Sequence, residues 1–282
     1  MPASRYTLHL QDFAMTLVVV ELRQILPHEE IIPELLEKLV DAIERDGFMK
    51  HPIIVDGDSL VVLDGNHRTE ALKKLGYRYI PVCMVDYQNP LIEVGCWYRT
   101  IEGGDYNSLV NSFENFETVK LDWEKTKETV NSTNALAIVT KERALISNPY
   151  KSIPEAYEAL RRAETNLRNS GFRIGYTSEE IASKSVLEGS ALAYVAMHPL
   201  TKKAIIEIAQ SGRRFPCKTS RHIFPARPMG IDFPLPFLKD HPLDEANHEF
   251  YLWISRRHVD QIPPRSVFEG RRYDEIIFLF HQ

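Results

Sequence analysis

The run Asp64-Gly65-Asn66-His67-Arg68 carries the strongest chemical signal in the chain. It lies between the short apolar run Leu60 to Leu63 and a segment whose Ala71, Leu72 and Leu75 recur at helical spacing. A turn from strand into helix presents the free amides of the first helical turn. Gly65 lets the backbone come close, and Arg68 adds a charge-assisted donor. These are the ingredients of a phosphate site. The same residues also suit a structural arrangement in which Asp64 caps the helix and Arg68 pairs with a nearby carboxylate, and the pentapeptide alone leaves both open.

Three other places hold reactive types. Glu29, within Pro27-His28-Glu29-Glu30, either orients and deprotonates a substrate hydroxyl or, as a solvated carboxylate, favours the positive end of the next helix. Lys218-Thr219-Ser220-Arg221-His222 gathers two cations, two hydroxyls and an imidazole, a set that suits phosphate binding and equally a solvated basic turn. Trp97, between Cys96 and Tyr98, fits core packing or a ligand wall. The chain contains no G-x-x-x-x-G-K-[ST], G-x-S-x-G or H-E-x-x-H, so P-loop NTPases, α/β-hydrolases and zincins lose support. Its ten histidines are dispersed and define no metal cluster by spacing.

The elements that must position these residues follow from pattern. Met15 to Leu22 reads as a strand, and Pro33 opens a helix whose Leu35, Leu36, Leu39, Val40 and Ile43 share a face before Asp46-Gly47 ends it. Ile53 to Val55 and Leu60 to Leu63 form two short strands across the turn Asp56-Gly57-Asp58. Ile80 to Val85 is a further strand, which Pro81 assigns to an edge or to a strand start. A polar stretch from Glu102 to Asn115 and the charged run Glu124 to Glu128 mark a transition. Beyond it, Ala135 to Val139 and Ala144 to Ile146 make a hairpin, while Glu155 to Arg168 and Thr201 to Gln210 read as helices. Ala191 to Met197 is a strand or a helix end. Phe250 to Ile254 is aromatic enough for a strand, and Ile276 to Phe280 suggests a buried strand or docking tail.

Length and charge bound the rest. At 282 residues the chain suffices for one large or two ordinary domains. Apolar residues make up 44% and charged residues 26%, so pervasive disorder is excluded. A formal charge of -5 gives no overall basic field for a nucleic-acid backbone. Three scattered cysteines support neither a disulfide scaffold nor a four-thiolate zinc site. With no long apolar span and no export leader, the expected location is the cytoplasm, with no membrane partner.

Asp64 to Arg68 resembles the phosphate-binding motif of the ParB/sulfiredoxin-like superfamily. Together with Pro27-His28-Glu29, Trp97-Tyr98 and Lys218 to His222, in that order, the chain resembles the free L-serine kinases of that superfamily over about residues 15 to 235. The resemblance implies an α+β fold: a ParB/sulfiredoxin-like nucleotide-binding domain at 10–110, a second α/β domain at 111–235 that closes the active-site cleft, and a C-terminal extension at 236–282 of unassigned role. It implies phosphoryl transfer from ADP or ATP, with Mg²⁺, to free L-serine, giving O-phospho-L-serine. Glu29 and Asp64 are the implied catalytic carboxylates. Gly65, Asn66, His67 and Arg68 are the implied nucleotide-phosphate loop, and Trp97, Lys218, Thr219, Ser220 and His222 the implied serine pocket. Asn66 departs from a histidine in the ADP-using archaeal branch and Ser220 from a threonine, which leaves the donor open. Sulfinic acid reduction is disfavoured because sulfiredoxin needs a cysteine where this chain has Asn66-His67. The competing expectation is a ParB-like nucleotide-dependent DNA-binding or regulatory protein, against which stands the lack of a helix-turn-helix pattern in the C-terminal half.

Overall fold

A computed structural model describes residues 5–113, 116–120 and 122–282. By contacts the chain divides into two units: the first comprises Met1–Glu93, Lys202–Cys217 and His222–Gln282, the second Val94–Thr201 and Lys218–Arg221. The sequence-based boundary at 110 thus falls inside the second unit, and 236–282 belongs to the first. The polar stretch read as a transition contains a strand end and a short helix, and its last two residues, 114–115, lie outside the described residues.

The first unit begins with strands β1 (Tyr6–Leu10) and β2 (Phe13–Glu21), helix α1 (Pro33–Asp46), strands β3 (Phe48–Met49), β4 (Ile53–Asp56) and β5 (Val62–Asp64), helix α2 (Asn66–Lys74) and strand β6 (Tyr79–Val85). Its main sheet has the order β1-β2-β6-β4-β5. Strand β6 is therefore interior, not at the edge that Pro81 suggested. Its parallel pairing with β4 starts at Ile53↔Val82, one residue past Pro81, so the missing amide falls outside that ladder. α1 ends as expected at Gly47, whose positive φ lets its amide bond back to the Ile43 carbonyl.

The second unit carries strands β7 (Glu93–Cys96) and β8 (Tyr98–Glu102), helix α3 (Tyr106–Asn111), strand β9 (Phe116–Lys120), helix α4 (Trp123–Ser132), strands β10 (Leu136–Thr140) and β11 (Arg143–Ser147), helix α5 (Ile153–Asn169), strand β12 (Arg173–Thr177), helix α6 (Glu179–Leu187) and strand β13 (Ala193–Met197). Six of its strands form an antiparallel sheet, β12-β8-β13-β10-β11-β9. Residues 193–197 are thus a strand, buried throughout. Under the sheet, Arg99 is 1% exposed and its Nε donates to Glu164 Oε1 at 2.7 Å. Its Nη1 donates to the Trp97 carbonyl at 2.8 Å.

The chain then returns to the first unit through α7 (Lys202–Gln210), crosses the second along β14 (Ser220–Ile223), and continues with β15 (Ala226–Met229), β16 (Phe233–Pro234), α8 (Leu243–Ser255), β17 (His258–Ile262), β18 (Val267–Phe268), β19 (Arg271–Arg272) and β20 (Ile276–His281). Residues 250–254, read as a strand, lie in α8. Ala246, Asn247, Phe250 and Ile254 are its buried face, a helical spacing that tertiary packing favours over the aromatic preference for strands. The terminal apolar run is the central strand of the sheet β15-β20-β17. Asn247 joins α8 to the main sheet: the Val19 amide donates to its Oδ1 at 2.8 Å, and its Nδ2 donates to the Val19 carbonyl at 2.9 Å.

Candidate functional site

Asp64 to Arg68 sit where β5 passes into α2. Gly65 holds φ at 110°, and a Cβ there would lie 2.4 Å from Cγ2 of the fully buried Ile53, so only glycine fits. The N-cap of α2 is Gly65, which has no side chain with which to cap it, and Asn66 Oδ1 is buried without a hydrogen-bond partner. The free amides of such a helix start suit an anion, whereas Asn66 Oδ1 is an acceptor and calls for a donor. His67 is structural as well: its Nε2 accepts from the Ile32 amide at 3.0 Å, fixing the start of α1.

The pairing of Arg68 with a nearby carboxylate is realised: Asp64 Oδ2 accepts from Arg68 Nη2 at 2.8 Å and from Arg227 Nη1 at 3.0 Å. Arg68 is itself braced by the carbonyls of His51 and Pro52. Arg227 is nearly buried, paired through Nε with Glu275 and set against the rings of Phe224 and Tyr273. A cavity of about 200 Å³ opens here, with His51, Asp64, Arg68, Arg227, Met229 and Tyr273 in its wall. Burial first, and Arg68 next, push His51 down to about 4 against the opposing pull of Glu269, so its ring is neutral at neutral pH. Its Nδ1 accepts from the Gly230 amide.

Glu29 belongs to the same unit and is held by main chain on both sides. The Phe215 amide donates to the His28 carbonyl and the Glu30 amide to the Phe215 carbonyl, each at 2.8 Å. The His28 ring is fully buried, with Nδ1 at 2.5 Å from the Val62 carbonyl, and burial keeps it below the ordinary imidazole range. His28 Nε2 lies 3.8 Å from Glu29 Oε1. His28 thereby ties the Glu29 junction to β5, two residues before Asp64.

His222 packs edge-on to His28 and stacks on Phe224, with Nε2 at 2.8 Å from the Tyr87 hydroxyl. Burial, then His28, push it down to about 3, and a bond to the Leu63 carbonyl opposes this. Its ring is thus neutral and committed to protein partners. The other residues expected to recognise serine, Trp97, Lys218, Thr219 and Ser220, lie in the second unit. Trp97 is half-buried, with Lys218 Nζ at 5.9 Å and Arg221 Cζ at 5.2 Å from its ring. Its half-buried ring is thus flanked by two cations. Thr219 is fully buried and Ser220 9% exposed, while Lys218 takes φ of 59°, an uncommon left-handed value for its type.

The sequence reading missed Arg227, Glu275 and Tyr273, and gave His28 no role of its own. Arg227 is 163 residues from the carboxylate it holds, beyond the reach of any spacing argument. The sole available signal was a charged residue in a proline-rich apolar stretch, followed by Asp274-Glu275 before the terminal strand.

No family model matches the chain. It is 30% identical over 231 residues to the ATP-dependent L-serine kinase of Staphylothermus marinus, covering 79% of this chain and 91% of that protein. It is 27% identical over 207 residues to a ParB-like protein of Sulfolobus acidocaldarius, 72% and 87% of the two chains. To the ADP-dependent L-serine kinase SerK of Thermococcus kodakarensis it is 27% identical over 225 residues, 77% and 91%. Among solved structures, a free serine kinase in complex with AMP superposes with a TM-score of 0.66 at 26% identity, over 79% of this chain and 93% of that one. The α+β fold is thus that of the serine kinases. With this degree of identity across most of both sequences, the chain belongs to the family of ATP- and ADP-dependent L-serine kinases.

Proposed function

We propose that the protein transfers a phosphoryl group from ADP or ATP to the hydroxyl of free L-serine. The observation that carries this reading is Asp64, fixed by two guanidiniums at the glycine-led start of α2, in the same unit as the tethered Glu29. The α2 amides and the Asn66 side chain are the proposed seat of the donor's phosphates, an arrangement that offers donors without a lysine-bearing loop. Asp64 has its charge balanced by Arg68 and Arg227, so it serves to orient. Glu29 is the proposed group that directs the serine hydroxyl and receives its proton. Phosphoryl transfer asks little covalent chemistry of the protein, and alignment together with neutralised oxygen charge supplies most of the acceleration.

Asp64, with Oδ2 engaged by Arg68 and Arg227, would help orient a hydrated Mg²⁺ brought in with the nucleotide, and such an ion would supply charge neutralisation at the phosphate oxygens. Trp97, Lys218, Thr219 and Ser220 are the proposed serine-recognition set, with Lys218 matched to a carboxylate or phosphate and Trp97 as an apolar wall. His222 enters as a support for the Glu29 region, because its ring nitrogens already serve Tyr87 and Leu63. Incubation of the purified chain with Mg²⁺, L-serine and either nucleotide, followed by detection of O-phospho-L-serine, tests the reading. Product with at least one donor supports it. No product from a broad set of free hydroxy amino acids with either donor overturns it, and nucleotide-dependent DNA binding at low salt would instead favour the ParB-like regulator.

A further inference from the structure

His258 and His281 are 23 residues apart in sequence but face each other across the antiparallel pair β17 and β20, in the register His258↔His281. Side chains alternate along a strand, so Asp260, two residues past His258, stands on the same side of the sheet. The three side chains converge there. Asp260 Oδ2 lies 2.8 Å from His281 Nε2 and Asp260 Oδ1 lies 3.3 Å from His258 Nε2. One ligand atom from each of the three lies within 4.8 Å of the others.

We propose that His258, Asp260 and His281 bind a divalent transition-metal ion of the Zn²⁺ class. Bonds of about 2.0–2.1 Å in a tetrahedral site place neighbouring ligand atoms roughly 3.3 Å apart, the scale of the two Asp260–His separations, which run to different carboxylate oxygens, with all three ligand atoms within 4.8 Å. Two imidazoles and one carboxylate make three protein ligands, and water completes the set from the open side, since all three side chains reach solvent. His281 Nδ1 lies 3.2 Å from the Gln282 carbonyl. In the metal-free chain Nε2 donates to Asp260 Oδ2, and an ion that takes the lone pair of this nitrogen would displace that proton, while Nδ1 towards Gln282 supplies the second-sphere contact that orients a metal-binding imidazole. Imidazole nitrogen disfavours Mg²⁺, so the ion that serves the nucleotide would not compete.

The site would cross-link β17 to the central strand of the C-terminal sheet. Arg227 pairs with Ile277 at the opposite end of β20, so the metal is separate from the Asp64 cavity. Phosphoryl transfer should accordingly be indifferent to it. The test is calorimetric titration of Zn²⁺ into the metal-free full chain with Mg²⁺ present, repeated on His258→Gln, Asp260→Asn and His281→Gln. One ion per chain is expected, each variant weakening Zn²⁺ at least tenfold while nucleotide binding is unchanged. Co²⁺ in place of Zn²⁺ should give the visible absorption of a four-coordinate site. Where a variant melts early, protection of His258 and His281 in the unmodified chain from carbethoxylation by Zn²⁺, read by mass spectrometry, serves instead. No uptake, uptake only at millimolar Zn²⁺, or uptake unaltered in the triple variant overturns the assignment.

Discussion

Replacing Arg227 with Met separates what this residue does for the fold from what it does for Asp64. Arg227 and Glu275 side chains are each 9% exposed, so losing the guanidinium strands a buried carboxylate. Breaking such a pair from one side costs about 3–5 kcal/mol. At roughly 2 °C per kcal/mol for a chain of this size, the melting temperature should fall by about 6–10 °C. Replacing both partners, in Arg227→Met/Glu275→Met, removes the stranded charge, and most of that loss should return. Asp64 gains nothing from the second substitution: in both variants its Oδ2 keeps the 2.8 Å contact from Arg68 and lacks the 3.0 Å contact from Arg227. Misplacing a reacting or orienting group by about 1 Å costs on the order of 100-fold, so kcat/KM for serine should drop about 10- to 100-fold in the single and double variants alike. Thermal melts and initial rates on the three proteins decide the matter. A double variant that regains activity along with stability would refute the orienting role of Arg227.

Gly65→Ala should abolish most activity and destabilise the first unit by about 2–4 kcal/mol, because the new methyl meets Ile53 at 2.4 Å on a backbone with φ of 110°; a chemical denaturation midpoint equal to the parent's would contradict this. His222 titrates below a free imidazole, so the unfolded chain binds its proton more readily. The stability this contributes is complete above about pH 6.5 and is lost as pH falls towards 3. Between pH 8 and pH 5 that amounts to about 2 kcal/mol, and His222→Gln should reduce the pH 8 to 5 difference in denaturation free energy by that much; an unchanged difference would count against a neutral, buried His222. Lys218→Ala should raise KM for serine about tenfold or more with little change in melting temperature, whereas unaltered KM would return Lys218 to a solvated turn.

Local structure was legible where sequence neighbours are also spatial neighbours. Asp64 to Arg68 could be read because a strand, a glycine and a helix start follow one another within a few residues, and Arg68 reaches back to Asp64 one helical turn away. The end of α1 at Gly47 and the β10–β11 hairpin were legible for the same reason. What stayed hidden depends on long-range closure. Pro81 spoke for an edge, yet the register with β4 begins one residue later and lets it sit in an interior strand. Residues 250–254 have strand-like composition but pack as a helix whose Asn247 serves Val19, 228 residues away. Arg227 and Glu275 acquire meaning only when β15 lies beside β20, and dispersed histidines become neighbours only when β17 does.

A single-turnover comparison of the unmodified chain with Glu29→Gln tests the account most directly. Both proteins are mixed with Mg²⁺, L-serine and a nucleotide carrying label in its terminal phosphate, and label in O-phospho-L-serine is followed alongside nucleotide affinity. The unmodified chain should move the label to serine. Glu29→Gln should bind nucleotide within about twofold of the parent while transfer slows by at least 100-fold, the scale of a positioned proton acceptor. Transfer at an undiminished rate by a folded Glu29→Gln protein would contradict the assignment of Glu29, and absence of labelled phosphoserine from the unmodified chain with either ADP or ATP would contradict the account as a whole.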